Sequence, residues 1–276
     1  MPRLIDVKHL GLDRVIGAWL VDGFLIDPGP ESSVDTLLEG LGDERPRALL
    51  LTHIHFDHAG ASGVLVERWP DLRVYVHEKG ARHMADPERL VASARQIWGD
   101  DFDRLWGRVV PVPEDNLEVL HGGETVDGFD VEYTPGHAKH HVSYFHHDSG
   151  HAYVGDMAGI RIPPSSVVRA PTPPPDIDVD AWLESLERIE ARAPTALVAT
   201  HFGRIDDVDA QLAAIREALR FQAELARDSS EEEFVDELNR VANEQIDDDT
   251  GRRLFDAGNP VDFYAGLTRY WSKLDA

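Results

Sequence analysis

Hydrophobic and polar positions in the first half of the chain alternate between short apolar runs and amphipathic segments. The stretch "AWLVDGFLIDPG" has two apolar runs separated by Asp22-Gly23, a pair typical of a two-residue hairpin turn, and it ends in an acidic loop at Asp27. The segment "VDTLLEGLG" then has helical spacing and ends at a glycine, and "RALLLTH" has the continuous apolar run of a buried strand. Helical spacing returns in 61–69 and 86–107, with the strand-like "LRVYVH" between them. This alternation predicts an α/β fold.

The second half of the chain repeats the pattern of the first. "VSYFHHDSGHAYVGDMAG" again predicts strand, turn, strand and acidic loop, and "TALVATHFG" is an apolar run that ends in Thr-His, as "LLLTHIH" does. Two such halves would pack sheet against sheet with helices outside. Their polar strand ends would then share one site at a common edge.

Two further regions complete the predicted organisation. Three helical segments follow residue 204, and in the first of them Val208, Leu212, Ile215 and Leu219 mark one buried face. We therefore expect a core domain over 1–204 and a helical extension over 205–276 packed on it. The proline-rich segment 163–180 predicts a long loop, which would be either a linker or a wall of the site.

Composition and charge narrow the classes of function. The chain has no cysteine, which excludes disulfides, thiolate metal ligands and a cysteine nucleophile. Its formal net charge of −24 makes nucleic acid and anionic membranes poor partners. Apolar runs are shorter than the roughly 18 residues of a membrane span, and the first residues lack the apolar core of a signal peptide. We expect a cytoplasmic protein with a small-molecule substrate; its oligomeric state is open, with a homodimer compatible.

The motif "THIHFDH" predicts a metal centre. His53 and His55 are two residues apart, so at an extended strand end both imidazoles would face one ion. Asp57 and His58 follow after the chain turns and would reach a second position. Distant candidates at other strand ends are His137, Asp156 and His201. Seven ligands are therefore predicted: His53, His55, Asp57, His58, His137, Asp156 and His201.

With this set in this order, the chain resembles the metallo-β-lactamase fold superfamily over residues 10–204. The resemblance implies a four-layer αββα sandwich with a helical extension, carrying two metals at one edge. It implies that His53, His55 and His137 hold the first ion. It also implies that Asp57, His58 and His201 hold the second and that Asp156 bridges both. Imidazole and carboxylate ligands suit Zn²⁺, our first choice, and also Fe or Mn²⁺.

Two ions sharing a carboxylate and a water would lower the pKa of that water toward about 7 and produce a hydroxide nucleophile. Asp57 would orient it and pass a proton, so Asp57 and Asp156 are the predicted catalytic carboxylates. We expect a hydrolase of the glyoxalase II or lactonase type, acting on an ester, lactone or thioester. The alternatives are a phosphodiesterase on the same site, a mononuclear iron dioxygenase of the persulfide-oxidising type and a non-catalytic metal-stabilised binding protein.

Several other side chains are candidates for supporting roles. Asp27 is the preferred carboxylate to orient a histidine ligand, ahead of Thr52 and Thr200. His140 and His141 are further candidates, whereas His146, His147 and His151 are expected at the surface. Two aromatic groups could line the pocket or merely pack helices: Trp98 with Trp106, and Tyr264 with Tyr270 and Trp271. Four basic side chains could contact an anionic group of the substrate, but each is more readily interpreted as a surface charge: Arg95, Lys139, Arg161 and Arg169.

Overall fold

The computed structural model of the protein describes residues 2–275, which contain two six-stranded mixed β-sheets. In both sheets each strand pairs with the strands that precede and follow it in the chain. The first comprises β1 (Arg3–Asp6), β2 (Gly17–Val21), β3 (Phe24–Ile26), β4 (Ala48–Leu50), β5 (Arg73–His77) and β6 (Leu117–Leu120). The second comprises β7 (Thr125–Val126), β8 (Phe129–Tyr133), β9 (Val142–His146), β10 (His151–Gly155), β11 (Ala196–Ala199) and β12 (Gly203–Ile205).

The repeat predicted from the sequence is confirmed by the strand pairing. In the first sheet β2 and β3 pair antiparallel and β3 and β4 pair parallel; in the second β9 and β10 pair antiparallel and β10 and β11 pair parallel. Each hairpin leads to an aspartate, Asp27 or Asp156, and each following parallel strand leads to Thr-His. Equivalent polar residues of both halves therefore leave their sheets at equivalent positions.

The inner faces of the two sheets form one apolar layer. The ring of Phe24 meets that of Phe129 edge to face at 5.5 Å between centroids, and Trp19 meets Tyr153 at 6.1 Å. Backbone contacts join the sheets at the edge where the polar strand ends lie: Gly17 N donates to the carbonyl of Thr200 at 3.0 Å. Close packing of this layer holds the ends of β4 and β11 side by side.

Helices cover the outer faces and complete the predicted four-layer αββα sandwich, which is confirmed. Those of the first half are α1 (Val34–Leu41), α2 (Phe56–Ala59), α3 (Ser62–Arg68), α4 (Glu78–Ala85), α5 (Glu88–Trp98) and α6 (Phe102–Trp106). Those of the second half are α7 (Val179–Ala191), α8 (Val208–Asp228), α9 (Glu231–Asn243), α10 (Asp248–Ala257) and α11 (Pro260–Leu274). Every helix within residues 2–275 is too short or too polar to cross a lipid bilayer.

The region after residue 204 has four helices up to residue 275 rather than the three predicted. The additional helix, α10, has Gly251 near its middle and only a few apolar positions, so its periodicity is weak in the sequence. Leu212, Ile215 and Leu219 of α8 are fully buried, as expected, and belong to the same apolar cluster as the sandwich. The division into a domain over 1–204 and an extension over 205–276 stays a prediction.

The proline-rich segment is a loop, as predicted, although it ends slightly earlier than residue 180. Its regular structure is limited to an isolated bridge between Ile160 and Arg169, and α7 then begins at Val179. The side chain of Asp178 caps this helix by accepting from the backbone N–H of Ala181 at 3.0 Å.

Candidate metal centre

The seven side chains predicted as metal ligands lie together at the edge of the sandwich where strands of both sheets end. They form two groups, and within each group the ligand atoms are all within 4.8 Å of one another. One group is His53, His55, His137 and Asp156, and the other is Asp57, His58 and His201. The grouping is the one that the family resemblance implies, while the metal-binding role itself remains a prediction.

The first group presents three imidazole nitrogens to one point. Nε2 of His53 lies 3.0 Å from Nδ1 of His55 and 3.2 Å from Nε2 of His137, and the remaining pair is 2.9 Å apart. Ligands about 2.0–2.1 Å from a tetrahedral zinc ion are about 3.3 Å from one another. These spacings therefore fit a shared ion.

Backbone carbonyls set the orientation of two of the histidines. Nδ1 of His137 donates to the carbonyl of Pro171 at 2.8 Å, and Nδ1 of His201 donates to that of Val15 at 2.7 Å. A neutral imidazole with its proton on Nδ1 has a free lone pair on Nε2, and in both residues that atom faces the centre. The carbonyl for His137 comes from the proline-rich loop, which is thus a wall of the site rather than a linker.

Asp156 lies between the two groups. Its Oδ2 is 3.2 Å from Nε2 of His137, and its Oδ1 is 3.2 Å from Nε2 of His58 and 3.6 Å from Nε2 of His201. Oδ1 of Asp156 and Nε2 of His58 are buried without any hydrogen-bond partner in the described part of the chain. Such orphaned atoms are costly unless another ligand satisfies them, and the arrangement fits a carboxylate shared by two cations.

The second group combines a carboxylate with two imidazoles. Oδ2 of Asp57 lies 3.3 Å from Nε2 of His201 and 3.8 Å from Nε2 of His58. Burial alone would lower the histidine pKa values, but the carboxylate of Asp156, assisted by that of Asp57, raises the pKa of His58 and of His201. Burial acts to raise the pKa of Asp57. The neighbouring imidazoles of His58 and His201 have the larger effect and hold the pKa of Asp57 below its usual range.

The first group is different because burial dominates. Burial lowers the pKa of His53 well below its ordinary value, and it lowers the pKa of His55 to about 3. Neighbouring imidazoles add to the effect, since each would repel a second positive charge. These histidines are neutral at physiological pH, which is the form that binds metal ions.

Asp27 supports the centre from behind. Its Oδ2 accepts from Nδ1 of His58 at 2.8 Å, from Oγ1 of Thr52 at 2.7 Å and from Oγ1 of Thr200 at 3.2 Å. Its Oδ1 accepts from the backbone N–H of Thr52 at 2.8 Å. The expectation that Asp27 orients a histidine of the set is met, and both threonines contact the same carboxylate.

His140 and His141 pack against the predicted ligands without hydrogen-bonding to them. The ring of His141 lies 5.2 Å from that of His53, and its Nδ1 is 2.9 Å from Oγ1 of Thr134. The ring of His140 is parallel to that of His53 at 6.2 Å, and its Nδ1 accepts from the N–H of Ile54 at 3.4 Å. Both are buried, so they restrict the position of His53 by shape.

A cavity of about 1130 Å³ opens onto both groups. Trp98 and Trp106 line it, as do Pro173 to Pro175 of the proline-rich loop. The C-terminal aromatics pack helices instead: the hydroxyl of Tyr264 donates to the carbonyl of Ser229, and Nε1 of Trp271 donates to that of Ala223. The first aromatic pair is therefore the one available to a substrate.

His9 is a residue of the cavity wall that the sequence did not indicate. It is almost fully buried, and its ring stacks on Trp106 with 5.6 Å between centroids. Burial lowers the pKa of His9 to about 4. Its neighbours Lys8 and Leu10 have positive φ values of 49° and 52°, a conformation that is unfavourable for both residue types. A lone histidine in an irregular loop carries no periodic signal, and motif reasoning therefore missed it.

Three expectations about surface positions were wrong. His146 and His151 are buried, because they lie in β9 and β10 rather than in the turn between them; His147 is exposed, as expected. Nε2 of His146 contacts Oδ2 of Asp22 at 2.9 Å. Arg169 is only 4% exposed and donates to the carbonyl of Leu238 at 3.1 Å, so it is not a surface charge.

Comparison with known proteins agrees with this fold. A profile of the metallo-β-lactamase superfamily matches residues 17–201. The metallo-β-lactamase fold-containing protein ST1585 of Sulfurisphaera tokodaii is 30% identical over 164 residues, which cover 57% of this chain and 60% of that protein. The crystal structure of ST1585 aligns with a TM-score of 0.72 at 24% identity, over 97% of this chain and 98% of that one, which shows a common fold.

Two further relatives have a stated activity or a stated metal content of their own. A hydroxyacylglutathione hydrolase of Synechococcus sp. (strain JA-2-3B'a(2-13)) is 32% identical over 136 residues, 48% of this chain and 42% of that protein. The protein TTHA1623, solved in a di-iron-bound form, is 28% identical with a TM-score of 0.55, over 72% of this chain and 93% of that one. The chain thus matches about three fifths of the length of the first curated relative and less than half of the hydroxyacylglutathione hydrolase.

Proposed function

Because this chain belongs to the metallo-β-lactamase superfamily, whose profile matches residues 17–201, we propose that it is a dinuclear metal-dependent hydrolase. Its substrate would be a small molecule with an ester, lactone or thioester bond. The single observation that carries the proposal is the position of Asp156, whose two carboxylate oxygens face different groups of imidazoles.

The residues of the centre would have different roles. His53, His55 and His137 would hold one divalent ion, Asp57, His58 and His201 the other, and Asp156 both. Bound ions of this kind supply a water with a pKa near 7 and polarise the carbonyl oxygen of a substrate. Asp57 is only partly buried and lines the cavity, so it is the carboxylate that can orient this water and accept its proton. Zn²⁺ is our first choice because the ligands are imidazoles and carboxylates, and the di-iron relative makes iron the main alternative.

The complete second group disfavours the mononuclear dioxygenase, which would need one ion only. A phosphodiesterase would use the same centre. The cavity favours a carboxylic ester or thioester, because most of its lining beyond the centre is apolar. A substrate free in solution, rather than nucleic acid or a membrane, is favoured by the net charge of −24.

Metal analysis together with hydrolysis assays tests the proposal. We expect close to two ions per chain, and loss of ester, lactone and thioester turnover after chelation. Asp156→Asn should lose at least one ion and reduce kcat/KM at least 100-fold, whereas Asp43→Asn, at an exposed position without such contacts, should change neither. One ion per chain, or full turnover by Asp156→Asn, would overturn the proposal.

A further inference from the structure

The cavity that opens onto the metal centre has apolar residues from three helices in its lining. Leu90, Ile97 and Trp98 belong to α5, Phe255 to α10 and Phe263 to α11. Ile97 is 49% exposed and Phe255 is 48% exposed, and both line this one cavity. Apolar side chains that are open to water in a shared cavity are typical of a ligand-binding groove, and a bound apolar group would cover them.

The size of the cavity indicates a ligand larger than a short acyl group. A volume of about 1130 Å³ exceeds the range of about 300–1,000 Å³ that is typical of small-molecule sites. The same cavity is also lined by His55, Asp57, Asp156 and His201. One substrate can therefore place an apolar group in the cavity and the bond to be cleaved at the centre.

Two arginines line this cavity without a carboxylate partner. Among residues 2–275 no carboxylate oxygen lies within 4 Å of the guanidinium groups of Arg82 or Arg89, whereas Lys139 on the same wall pairs with Asp176 at 2.9 Å. Nε of Arg82 donates to Nε2 of His83 at 3.2 Å, a contact that leaves the charge of Arg82 without a neighbouring carboxylate. Both arginines also line an adjoining cavity of about 540 Å³. Their guanidinium groups are complementary to an anion.

Helix α4 connects this cationic end with the metal centre. A Cβ atom added to Gly80 would lie 2.8 Å from Cγ2 of Ile54 and 3.4 Å from Cβ of His140. The first turn of α4 therefore packs directly on the segment that carries His53 and His55. Arg82, two residues after Gly80, lies about 200° further round the helix, and it lines the same cavity as His55. A ligand that fills this cavity can therefore contact both.

We propose that the cavity binds an amphiphilic, anionic substrate. The bond to be cleaved lies at the metal centre, an apolar arm longer than about six carbons lies against the apolar cavity residues of α5 and α10, and an anionic group lies at Arg82 and Arg89. The inference rests on the proposed hydrolase function and adds the class of substrate.

A series of matched esters tests the inference on the full-length, metal-loaded protein. 4-Acyloxybenzoates carry an anionic leaving group, and 4-acyloxybenzamides are their neutral counterparts; both are made with two-carbon and ten-carbon acyl chains. We expect kcat/KM to rise at least 30-fold from the short to the long chain and to be at least tenfold higher for the benzoate than for the benzamide. Equal values across the series would overturn the inference while leaving the hydrolase function intact.

Variants test which residues of the cavity cause the preference for the benzoate and which cause the preference for the long chain. Arg82→Gln combined with Arg89→Gln should abolish the preference for the benzoate and keep that for the long chain, and Ile97→Asn should reduce the latter at least fivefold. The matched controls are Arg220→Gln and Leu274→Asn, which change an arginine and an exposed apolar residue outside the cavity. Retention of both preferences in the cavity variants would refute the assignment.

A binding measurement separates this inference from the proposed reaction. Calorimetry with decanoate, decanamide and butyrate requires no turnover. We expect decanoate to bind at least tenfold more tightly than either of the others, and the advantage over decanamide to disappear in the arginine double variant. Such a result would support the site even if no ester were hydrolysed, and unchanged decanoate affinity in the double variant would contradict it.

Discussion

The carboxylate of Asp27 accepts a hydrogen bond of 2.8 Å from Nδ1 of His58, and both side chains are almost completely buried. The contact directs Nε2 of His58 toward Asp156. It also joins the first hairpin to the metal centre, because Asp27 directly follows β3.

Replacing Asp27 by asparagine should weaken metal binding at the second group. Asn has nearly the same shape and tolerates the positive φ of 47° at this position, but it lacks the charge that holds the His58 proton on Nδ1. We expect Asp27→Asn to lower the affinity for one ion 10- to 100-fold, measured by competition with a chelator. Asp127→Asn is the matched control, since Asp127 has a φ of 40°, pairs with Arg47 and belongs to neither group of predicted ligands. Equal affinities in the two variants would contradict this role.

Gly155→Ala should disturb the position of Asp156. Gly155 has a φ of 47°, and an added Cβ would lie 2.5 Å from Oγ1 of Thr52 and 2.9 Å from Nε2 of His141. The unfavourable backbone and the overlap together should cost about 3 kcal/mol of unfolding free energy. Gly128→Ala should cost about 1 kcal/mol, because Gly128 also has positive φ but has no neighbour within 4 Å of an added Cβ. Urea unfolding measures both. Similar values would show that the contacts with Thr52 and His141 are unimportant.

His9→Gln should make the protein less sensitive to acid. Burial lowers the pKa of His9 to about 4 in the folded state, whereas an unfolded histidine has its ordinary value of 6.5. The unfolded chain therefore binds the proton first, and the stability of the folded state falls as the pH decreases from 6.5 toward 4. This residue should account for about 2 kcal/mol of the loss between pH 7 and pH 5. The difference between the free energies of unfolding at pH 7 and at pH 5 should therefore be smaller in the variant than in the unmodified protein, by about 2 kcal/mol. An unchanged difference would contradict a buried, neutral His9.

A chain that ends at residue 204 should not fold on its own. Leu212, Ile215 and Leu219 are fully buried, and Nε2 of Gln211 donates to the carbonyl of Ala158 at 2.7 Å, close to Asp156. Without α8 these apolar surfaces and this carbonyl would be open to water. We expect insoluble protein, and recovery of soluble protein on co-expression of residues 205–276. A soluble 1–204 fragment that unfolds cooperatively and binds the full complement of metal would show that the extension is dispensable.

Much of the candidate centre could be predicted because its residues follow a simple rule. His53, Asp156 and His201 each follow an apolar run with one threonine or glycine between, and the repeat indicated that these runs end at one edge. The pairings of β2 to β4 and of β9 to β11 bear this out. Local periodicity and motif spacing were sufficient here because the polar residues are continuous with the strands that place them.

The remaining parts of the site depend on tertiary contacts. Whether Arg82 has a carboxylate partner depends on which acidic side chains the fold places within ion-pair distance of its guanidinium group. His9 is directed inward by left-handed backbone at Lys8 and Leu10, residue types that give no sign of it. The burial of His146 and His151 follows from β9 and β10 lying inside the second sheet, with neighbours on both sides.

The division of the candidate ligands between two halves of the chain has a consequence for biosynthesis. Asp27 accepts from Thr52 of the first half and Thr200 of the second, so its network closes only when both are present. The group around His53 needs Asp156, and the group around His58 needs His201. During translation the candidate site around His53 therefore cannot be assembled before β10 and Asp156 have emerged from the ribosome, and the candidate site around His58 requires β11 and His201 as well. Metal binding to the group around His58, which is completed last, would then occur only in a chain whose two sheets have already packed together.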